Sequence, residues 1–192
     1  MMTPHQLPVL PFACRKAWAD WLAKQHDKST GVWLKLAKKD SGIQSLTYDE
    51  AVDVALCYGW IDGQKKGFDD QRYWLQKFTP RGPKSIWSKI NTARVERLIA
   101  SGEMKPAGMK AIEAAKQDGR WDAAYASQKN ISVPADFQSA LGKNRKAKVF
   151  FDSLASAKRY SFLFRIVTAK KAETREKRIR QFVEMLERGE TF

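Results

Sequence analysis

The sequence predicts an α+β protein, with a small antiparallel or mixed sheet and packed helices first and a small helical bundle after it. Residues 32–36, V-W-L-K-L, alternate and are rich in β-branched and aromatic side chains, which favours a strand. Residues 64–78 combine aromatic residues with a polar centre and predict a β-hairpin. After residue 130, apolar residues recur every three or four positions, which is typical of amphipathic helices.

The stretch 47–91 organises the N-terminal part. Thr47 and Glu50 form a T-x-x-E capping box, which predicts the start of a helix, and Gly59 supplies a left-handed stop. Trp60-Ile61-Asp62-Gly63 then predicts a tight corner, and T-P-R-G-P at 79–83 predicts the end of the hairpin. The other elements predicted before residue 130 are an extended arm (1–11), a helix (12–25) and a short helical turn (85–89). Asn91 is the predicted N-cap of a helix that runs to Ala100, with Val95, Leu98 and Ile99 buried. A further helix is predicted to begin at Pro106 and to end at Gly119.

The C-terminal part is predicted to be helical throughout. We expect two domains, an α+β domain over residues 1–130 and a basic helical domain over 131–192. The first two predicted helices are 134–141 and 145–154, the second with an apolar face of Val149, Phe150, Phe151 and Leu154. A third helix is predicted to be capped by Ser156, with Tyr160, Leu163, Phe164 and Val167 on its buried side. The last predicted helix, 173–188, has an apolar stripe of Ile179, Phe182, Val183 and Leu186. Short links between such helices are typical of a small bundle.

The composition is that of a folded protein with a strongly positive surface. Of the 192 residues, 43% are hydrophobic and 29% charged, and the formal net charge is +14. Residues 143–188 hold fourteen basic and five acidic side chains, a net charge of +9. A field of this strength predicts an anionic partner: nucleic acid, an acidic protein or anionic lipid headgroups.

Cysteine usage and hydropathy predict a cytoplasmic protein. Cys14 and Cys57 are the only cysteines, which is too few for a disulfide framework. No stretch is apolar for long enough to span a bilayer, so we expect no transmembrane segment. The N-terminus lacks a charged segment followed by an apolar one, so we expect no signal peptide.

The sequence carries no signature of catalysis. His5 and His26 have no cysteine, histidine or carboxylate at ligand spacing, so no metal site is predicted. Phosphate-binding glycine loops and the G-x-S-x-G motif of serine hydrolases are also missing. We therefore predict no catalytic residues and no cofactor, and we expect a protein that is not an enzyme.

The first candidate site is an aromatic groove. Pockets are commonly lined by aromatic rings with a few convergent polar groups. The candidate ligand-binding residues are Trp60, Asp62, Arg72, Trp74, Arg81, Lys84 and Trp87. The alternative is that the three tryptophans build the core and that Asp62 only serves a turn.

The second candidate site is a basic helix face. Lys170, Lys171, Arg175 and Arg178 are spaced to lie near one face of the last helix and are candidate anion-binding residues, with Tyr160 positioned to stack on a base. The alternative is a solvated face with Glu173–Lys177 and Glu176–Arg180 as pairs one helical turn apart.

The sequence resembles the YdeI/OmpD-associated family, whose members are described as bacteriocin-protection proteins. The resemblance spans residues 18–188 and rests on Y-G-W-I-D-G-Q (58–64), K-F-T-P-R (77–81), P-K-S-I-W-S-K-I-N (83–91) and T-A-K-K-A-E-T-R-E-K-R-I-R (168–180). It implies a small soluble bacterial protein, not an enzyme, linked to a stress phenotype and to protection against bacteriocins or cationic antimicrobial peptides through binding. Because the resemblance runs through Asp62, this carboxylate is the foremost candidate for fixing a cationic or hydrogen-bonding ligand group.

The net charge constrains how such protection would work. A protein of charge +14 repels a cationic peptide, so binding of an anionic cellular component or a regulatory contact fits better than sequestration of the peptide. Two alternatives stay open: a nucleic-acid-binding module that uses the basic C-terminal helices, and a small-molecule-binding protein that uses Trp60, Trp74 and Trp87.

Overall fold

The computed structural model describes residues 7–68 and 72–192, and the chain divides into two compact units. The first unit holds the chain up to Trp87 together with Asn91–Ala123. The second unit holds Ser88–Ile90 and Ala124–Phe192.

The first unit contains a four-stranded mixed sheet, which confirms the predicted fold class. Its strands are β1 (Val9–Pro11), β2 (Val32–Ala37), β3 (Trp60–Gly67) and β4 (Tyr73–Pro80), in the order β1-β2-β4-β3. β1 pairs parallel to β2, and the other two pairs are antiparallel. The predicted strand at 32–36 is confirmed, and part of the predicted extended arm is the edge strand β1.

The prediction of a corner at Trp60–Gly63 is wrong, because these residues belong to β3. Trp60 pairs with Pro80 and Asp62 with Phe78, and the register shifts between Asp62 and Lys65. Asp-Gly favours a turn locally, but the pairing with β4 and the burial of Trp60 override that preference. The pairing of β4 with β2 ends at Phe78, and β4 itself ends at Pro80. Because Pro80 lies beyond the residues that pair with β2, its lack of a backbone N–H removes no hydrogen bond to β2.

Four helices complete this unit. They are α1 (Arg15–Gln25), α2 (Tyr48–Cys57), α3 (Lys89–Ala100, of which Lys89 and Ile90 group with the second unit) and α4 (Pro106–Gln117). The capping box of α2 is confirmed: the Thr47 N–H donates to Glu50 Oε2 at 2.9 Å, and the Glu50 N–H donates to Thr47 Oγ1 at 3.3 Å. Gly59 takes the left-handed conformation at φ +72°.

Four details of the helix predictions are wrong. α1 begins at Arg15 instead of Phe12, and α3 begins before Asn91, which is therefore not its N-cap. Residues 85–87 form no helical turn; the chain turns at Pro83 and Lys84. Ile99 is 41% exposed, whereas Val95 and Leu98 are buried as expected.

The core of the first unit lies between the sheet and its helices. The Trp18 ring of α1 lies 5.8 Å from Phe78 and 6.2 Å from Trp60, centroid to centroid. Its indole N–H donates to the Ala51 carbonyl of α2 at 3.1 Å. Full burial of such a ring contributes roughly 3 kcal/mol to folding. These contacts place α1 and α2 on the sheet face that carries Trp60, Asp62, Trp74 and Phe78.

The second unit is a helical bundle with a core of its own. Its helices are α5 (Ala135–Gly142), α6 (Arg145–Ser153), α7 (Ser156–Val167) and α8 (Ala172–Glu187). The core comprises Phe137, Leu141, Ala147, Phe151, Leu154, Phe162, Leu163, Ile166, Ile179, Phe182 and Leu186. The stripe predicted for α8 is confirmed at Ile179, Phe182 and Leu186.

Two of the predicted apolar faces need correction. Val149 is 63% exposed and Val167 is 37% exposed, although both were expected to be buried. Ala155, not Ser156, precedes the first turn of α7, and the buried side of that helix is Phe162, Leu163 and Ile166. Over the described part of the chain, no helix has the length and apolarity needed to cross a membrane.

Candidate functional site

The structure buries two of the three tryptophans of the predicted groove. Trp60 is 1% exposed, and its indole N–H donates to the His26 carbonyl at 3.0 Å. Trp87 is also 1% exposed; the Arg81 guanidinium lies 3.4 Å from its ring centroid. Trp60 and Trp87 are thus inaccessible here and do not wall an open groove.

The other predicted groove residues lie at separate places in the first unit. Arg81 also donates to the Ile86 carbonyl at 3.3 Å. Arg72 is exposed directly before β4, and its carbonyl accepts a hydrogen bond from the Lys38 N–H at 2.8 Å. Lys84 is exposed in the turn after β4. The seven residues are therefore not brought together as one lining.

Asp62 and Trp74 do meet, around a tyrosine that the sequence did not single out. The Tyr48 hydroxyl, from the first turn of α2, donates to Asp62 Oδ2 at 2.7 Å. The Tyr48 ring lies 5.9 Å from the Trp74 ring. Burial and then the hydrogen bond to Asp62 raise the pKa of Tyr48 above its ordinary value of 10.0. The phenol therefore keeps its proton at neutral pH.

Alkaline pH should therefore destabilise the protein in part through Tyr48. A pKa that is raised in the folded state adds stability that is present below 10.0 and is lost as the pH rises toward the raised value. We expect Tyr48→Phe to flatten the fall in the free energy of unfolding above pH 10, measured by urea unfolding at several pH values. The buried Cys57 thiol, whose pKa is raised from 9.0 to about 11, remains in both proteins and serves as an internal reference. An unchanged alkaline slope in Tyr48→Phe would contradict this assignment.

The predicted basic face of α8 is partly occupied by contacts within the second unit. Arg175 Nε donates to Asp136 Oδ2 at 2.6 Å, and its Nη1 donates to the Ile166 carbonyl at 3.0 Å. The guanidinium of Arg178 donates to the Arg165 carbonyl. Lys170 and Lys171 are exposed just before α8. Two of the four candidate residues thus tie α8 to its neighbours.

Sequence reasoning missed a groove between α6 and the C-terminal end of α8. Its lining comprises Arg145, Lys146, Val149, Phe150, Ser153, Leu186, Glu187, Arg188 and Gly189. Five of these residues follow the i, i+1, i+4, i+5, i+8 spacing of one face of α6. That spacing is visible in the sequence, but its apolar members, Val149 and Phe150, also fit a buried stripe with Phe151 and Leu154.

Metal and acid–base chemistry find no support in the described residues. Within them, no group of three or more histidine, cysteine, aspartate or glutamate side chains could hold a metal ion. His26 Nδ1 lies 3.0 Å from the Leu22 carbonyl, a contact that ties the ring to its own helix.

Comparison with known families divides the chain in the same order as the fold. A family model matches residues 10–111, more than half of the chain. The chain belongs to the family described as a domain of unknown function (DUF8412). This DUF8412 region holds the sheet, α2 and the Tyr48, Asp62 and Trp74 cluster.

A second family model, described as bacteriocin-protection, YdeI or OmpD-associated, matches residues 130–189. This match confirms the resemblance for helices α5–α8, including the segment 168–180. The motifs at 58–91 lie outside it and entirely within the DUF8412 region. No curated protein and no solved structure matches the chain.

Proposed function

We propose that this YdeI/OmpD-associated protein is a binding protein without catalytic activity that contributes to protection against bacteriocins or cationic antimicrobial peptides. Its ligand is an anionic amphiphile, held in the α6–α8 groove. The observation that carries this proposal is the combination of an exposed apolar floor and basic side chains in that groove.

The floor of the groove is unusually apolar for a surface. Val149 is 63% exposed and Phe150 is half-buried beside it in the lining, whereas Leu186, also in the lining, is fully buried. Apolar surface within a groove, next to a few charged side chains, is a common feature of binding sites. An acyl or similar chain laid on Val149 and Phe150 would remove their apolar surface from water.

The rim of the groove is cationic where α6 begins. Arg145 and Lys146 are exposed in the first turn of α6, where the helix dipole also favours negative charge. Arg188, directly after α8, is also in the lining and pairs with Glu190 at 3.0 Å. An anionic amphiphile can place its head group next to Arg145 and Lys146 and its apolar tail on Val149. Both the basic rim and the apolar floor of the groove then contact the ligand.

The charge of the chain supports an anionic ligand over the cationic peptide itself. The net charge of +14 opposes the approach of a cationic peptide and attracts an anionic molecule. The whole groove lies within the region that matches the bacteriocin-protection family. Protection then follows from what the protein holds, an anionic cellular component, and not from capture of the peptide.

A charge reversal at the rim tests the binding step. We expect Arg145→Glu with Lys146→Glu to weaken binding of dodecyl phosphate by about tenfold or more, measured by calorimetry below its micelle concentration. Lys158→Glu with Arg159→Glu, which reverses two exposed charges on α7, is the matched control and should bind like the unchanged protein. Val149→Ser, which removes apolar surface without adding charge, should also weaken the binding of dodecyl phosphate and leave the binding of inorganic phosphate unaffected.

The protective role has its own test in cells. Cells that produce the unchanged chain or the α7 control should survive a cationic antimicrobial peptide better than cells that produce the Arg145/Lys146 variant. Equal survival with all three proteins would refute the groove as the source of protection. Equal binding of dodecyl phosphate by both charge-reversed variants would refute it as an anion site.

A further inference from the structure

The face of the sheet opposite α1 and α2 carries a regular mixture of rings and amines. Register places Trp33 opposite Lys77 and Lys35 opposite Leu75. On the other side of β4, Lys66 is opposite Leu75. We call this the open sheet face; it comprises Trp33, Lys35, Lys66, Phe68, Tyr73, Leu75 and Lys77.

Lysine amines lie over the rings on this face. Lys35 Nζ is 3.9 Å from the centroid of Tyr73 and 5.0 Å from that of Phe68. Lys66 Nζ is 4.4 Å from the centroid of Trp33, reaching across β4. The contacts confirm that these side chains from three strands, and Phe68 just after β3, point to the same side.

The open sheet face is accessible and has one sign of charge. Phe68 is 36% exposed and Lys66 is exposed, while Trp33 and Tyr73 are half-buried. Leu75, between Lys35 and Lys66, is only 2% exposed, as expected if long lysine stems cover it. Of the described strand residues that point to this side, none is acidic; Asp62 points to the other face, where it meets Tyr48.

We infer that the open sheet face binds single-stranded nucleic acid. Trp33, Phe68 and Tyr73 are the rings on which successive bases stack, and Lys35, Lys66 and Lys77 contact the phosphates. Stacking accepts any base because every base has a π-face, so the site has no strong sequence preference. Cation–π contacts at exposed positions are weak, so a lysine leaves its ring for a phosphate as a base takes its place.

A single strand suits this face better than a duplex. The bases of a duplex are stacked on one another and leave no face free for Trp33, Phe68 or Tyr73, whereas an unpaired strand exposes its bases. The surface is separate from the α6–α8 groove and does not depend on the function proposed for it. It also differs from the basic residues of α8, two of which are engaged within their own unit.

Fluorescence anisotropy with a labelled oligothymidylate of about 12 nucleotides tests the inference on the full chain. We expect Lys35→Gln with Lys66→Gln to weaken binding about tenfold and to reduce the slope of log K against log salt by about 1.4. Lys24→Gln with Lys110→Gln removes two exposed charges from the helices of the same unit and is the matched control. Equal losses in both variants would overturn the site.

Stacking needs a separate readout, because a polyanion with no bases also binds amines. An abasic oligonucleotide of the same length should bind about tenfold more weakly than the oligothymidylate, and Phe68→Ala should remove part of that difference. Equal affinity for the two strands, or tighter binding of duplex DNA, would overturn the inference. The Arg145/Lys146 variant should lose no more affinity for the oligothymidylate than Lys158→Glu with Arg159→Glu, which has the same net charge, and this comparison separates the open sheet face from the α6–α8 groove.

Discussion

Replacing Gly108 with alanine should lower the free energy of unfolding by about 1–3 kcal/mol. Gly108 lies in α4, where that helix crosses the C-terminal end of α2. A Cβ atom added there would lie 2.4 Å from the Cys57 carbonyl oxygen, 2.8 Å from that of Leu56 and 2.5 Å from Met104 Sδ. The thioether can move, but the two carbonyls belong to α2, so the helices must separate. Urea unfolding measures the loss.

Gly142→Ala is the matched control for this prediction. Gly142 is also a helical residue, the last of α5, and a Cβ atom there meets nothing within 4 Å. Its φ is not positive. Alanine should therefore leave stability unchanged or raise it by up to about 1 kcal/mol, since the unfolded chain loses freedom. If Gly108→Ala proved as stable as the unchanged protein, the close approach of α4 to α2 would be refuted.

Replacing Asp53 with asparagine should lower the free energy of unfolding by about 2–3 kcal/mol. This loss is somewhat smaller than the usual effect of removing one partner of a buried ion pair. Asp53 of α2 is 6% exposed and accepts hydrogen bonds from Arg94 at 2.9 Å and from Arg97 at 2.6 Å. The loss is moderated because the Arg97 side chain is 55% exposed and the Arg94 side chain also pairs with Asp49. The free energy of unfolding from urea titration is the measurement.

The pH dependence of this loss is a second check on the same ion pair. Burial raises the pKa of Asp53, but hydrogen bonds from Arg97 and Arg94 outweigh it and hold the pKa below the ordinary 3.8. The contribution of a depressed carboxyl pKa is present above 3.8 and is lost as the pH falls through the folded-state pKa. The difference between the two proteins should therefore shrink at acid pH.

Asp27→Asn, at an exposed carboxylate outside this network, is the control and should change stability by less than about 0.5 kcal/mol. Equal destabilisation by Asp53→Asn and Asp27→Asn, or a difference that is independent of pH, would refute the role of the pair.

Local signals in the sequence were sufficient for most of the elements. The capping box at Thr47 and Glu50 and the glycine at 59 delimit α2 because their hydrogen bonds and dihedral angles involve only neighbouring residues. The failures have one physical cause, which is competition from distant partners. Asp62-Gly63 reads as a turn until β4 pairs with it, and Val149 fits a buried stripe until packing leaves it outside.

The candidate sites depended on tertiary structure to a greater degree. Sequence identified Asp62 and Trp74 but not Tyr48, whose hydroxyl reaches Asp62 only because the first turn of α2 lies against β3. The composition indicates an anionic partner. Which basic side chains can contact that partner depends on their burial and on their hydrogen bonds within the protein. Arg175 and Arg178 are engaged within the bundle, while Lys66, Arg145 and Lys146 are exposed.

By itself the sequence determined the fold class, the positive charge and most helix limits, because composition and short-range periodicity encode these properties directly. The tertiary structure alone decided which rings are core and which are surface. Trp33 and Trp60 belong to the same residue type and both lie in strands, yet one faces the open side of the sheet and the other packs against Trp18. Strand pairing and helix packing set that difference, and they join residues too far apart in the chain for a local pattern to record.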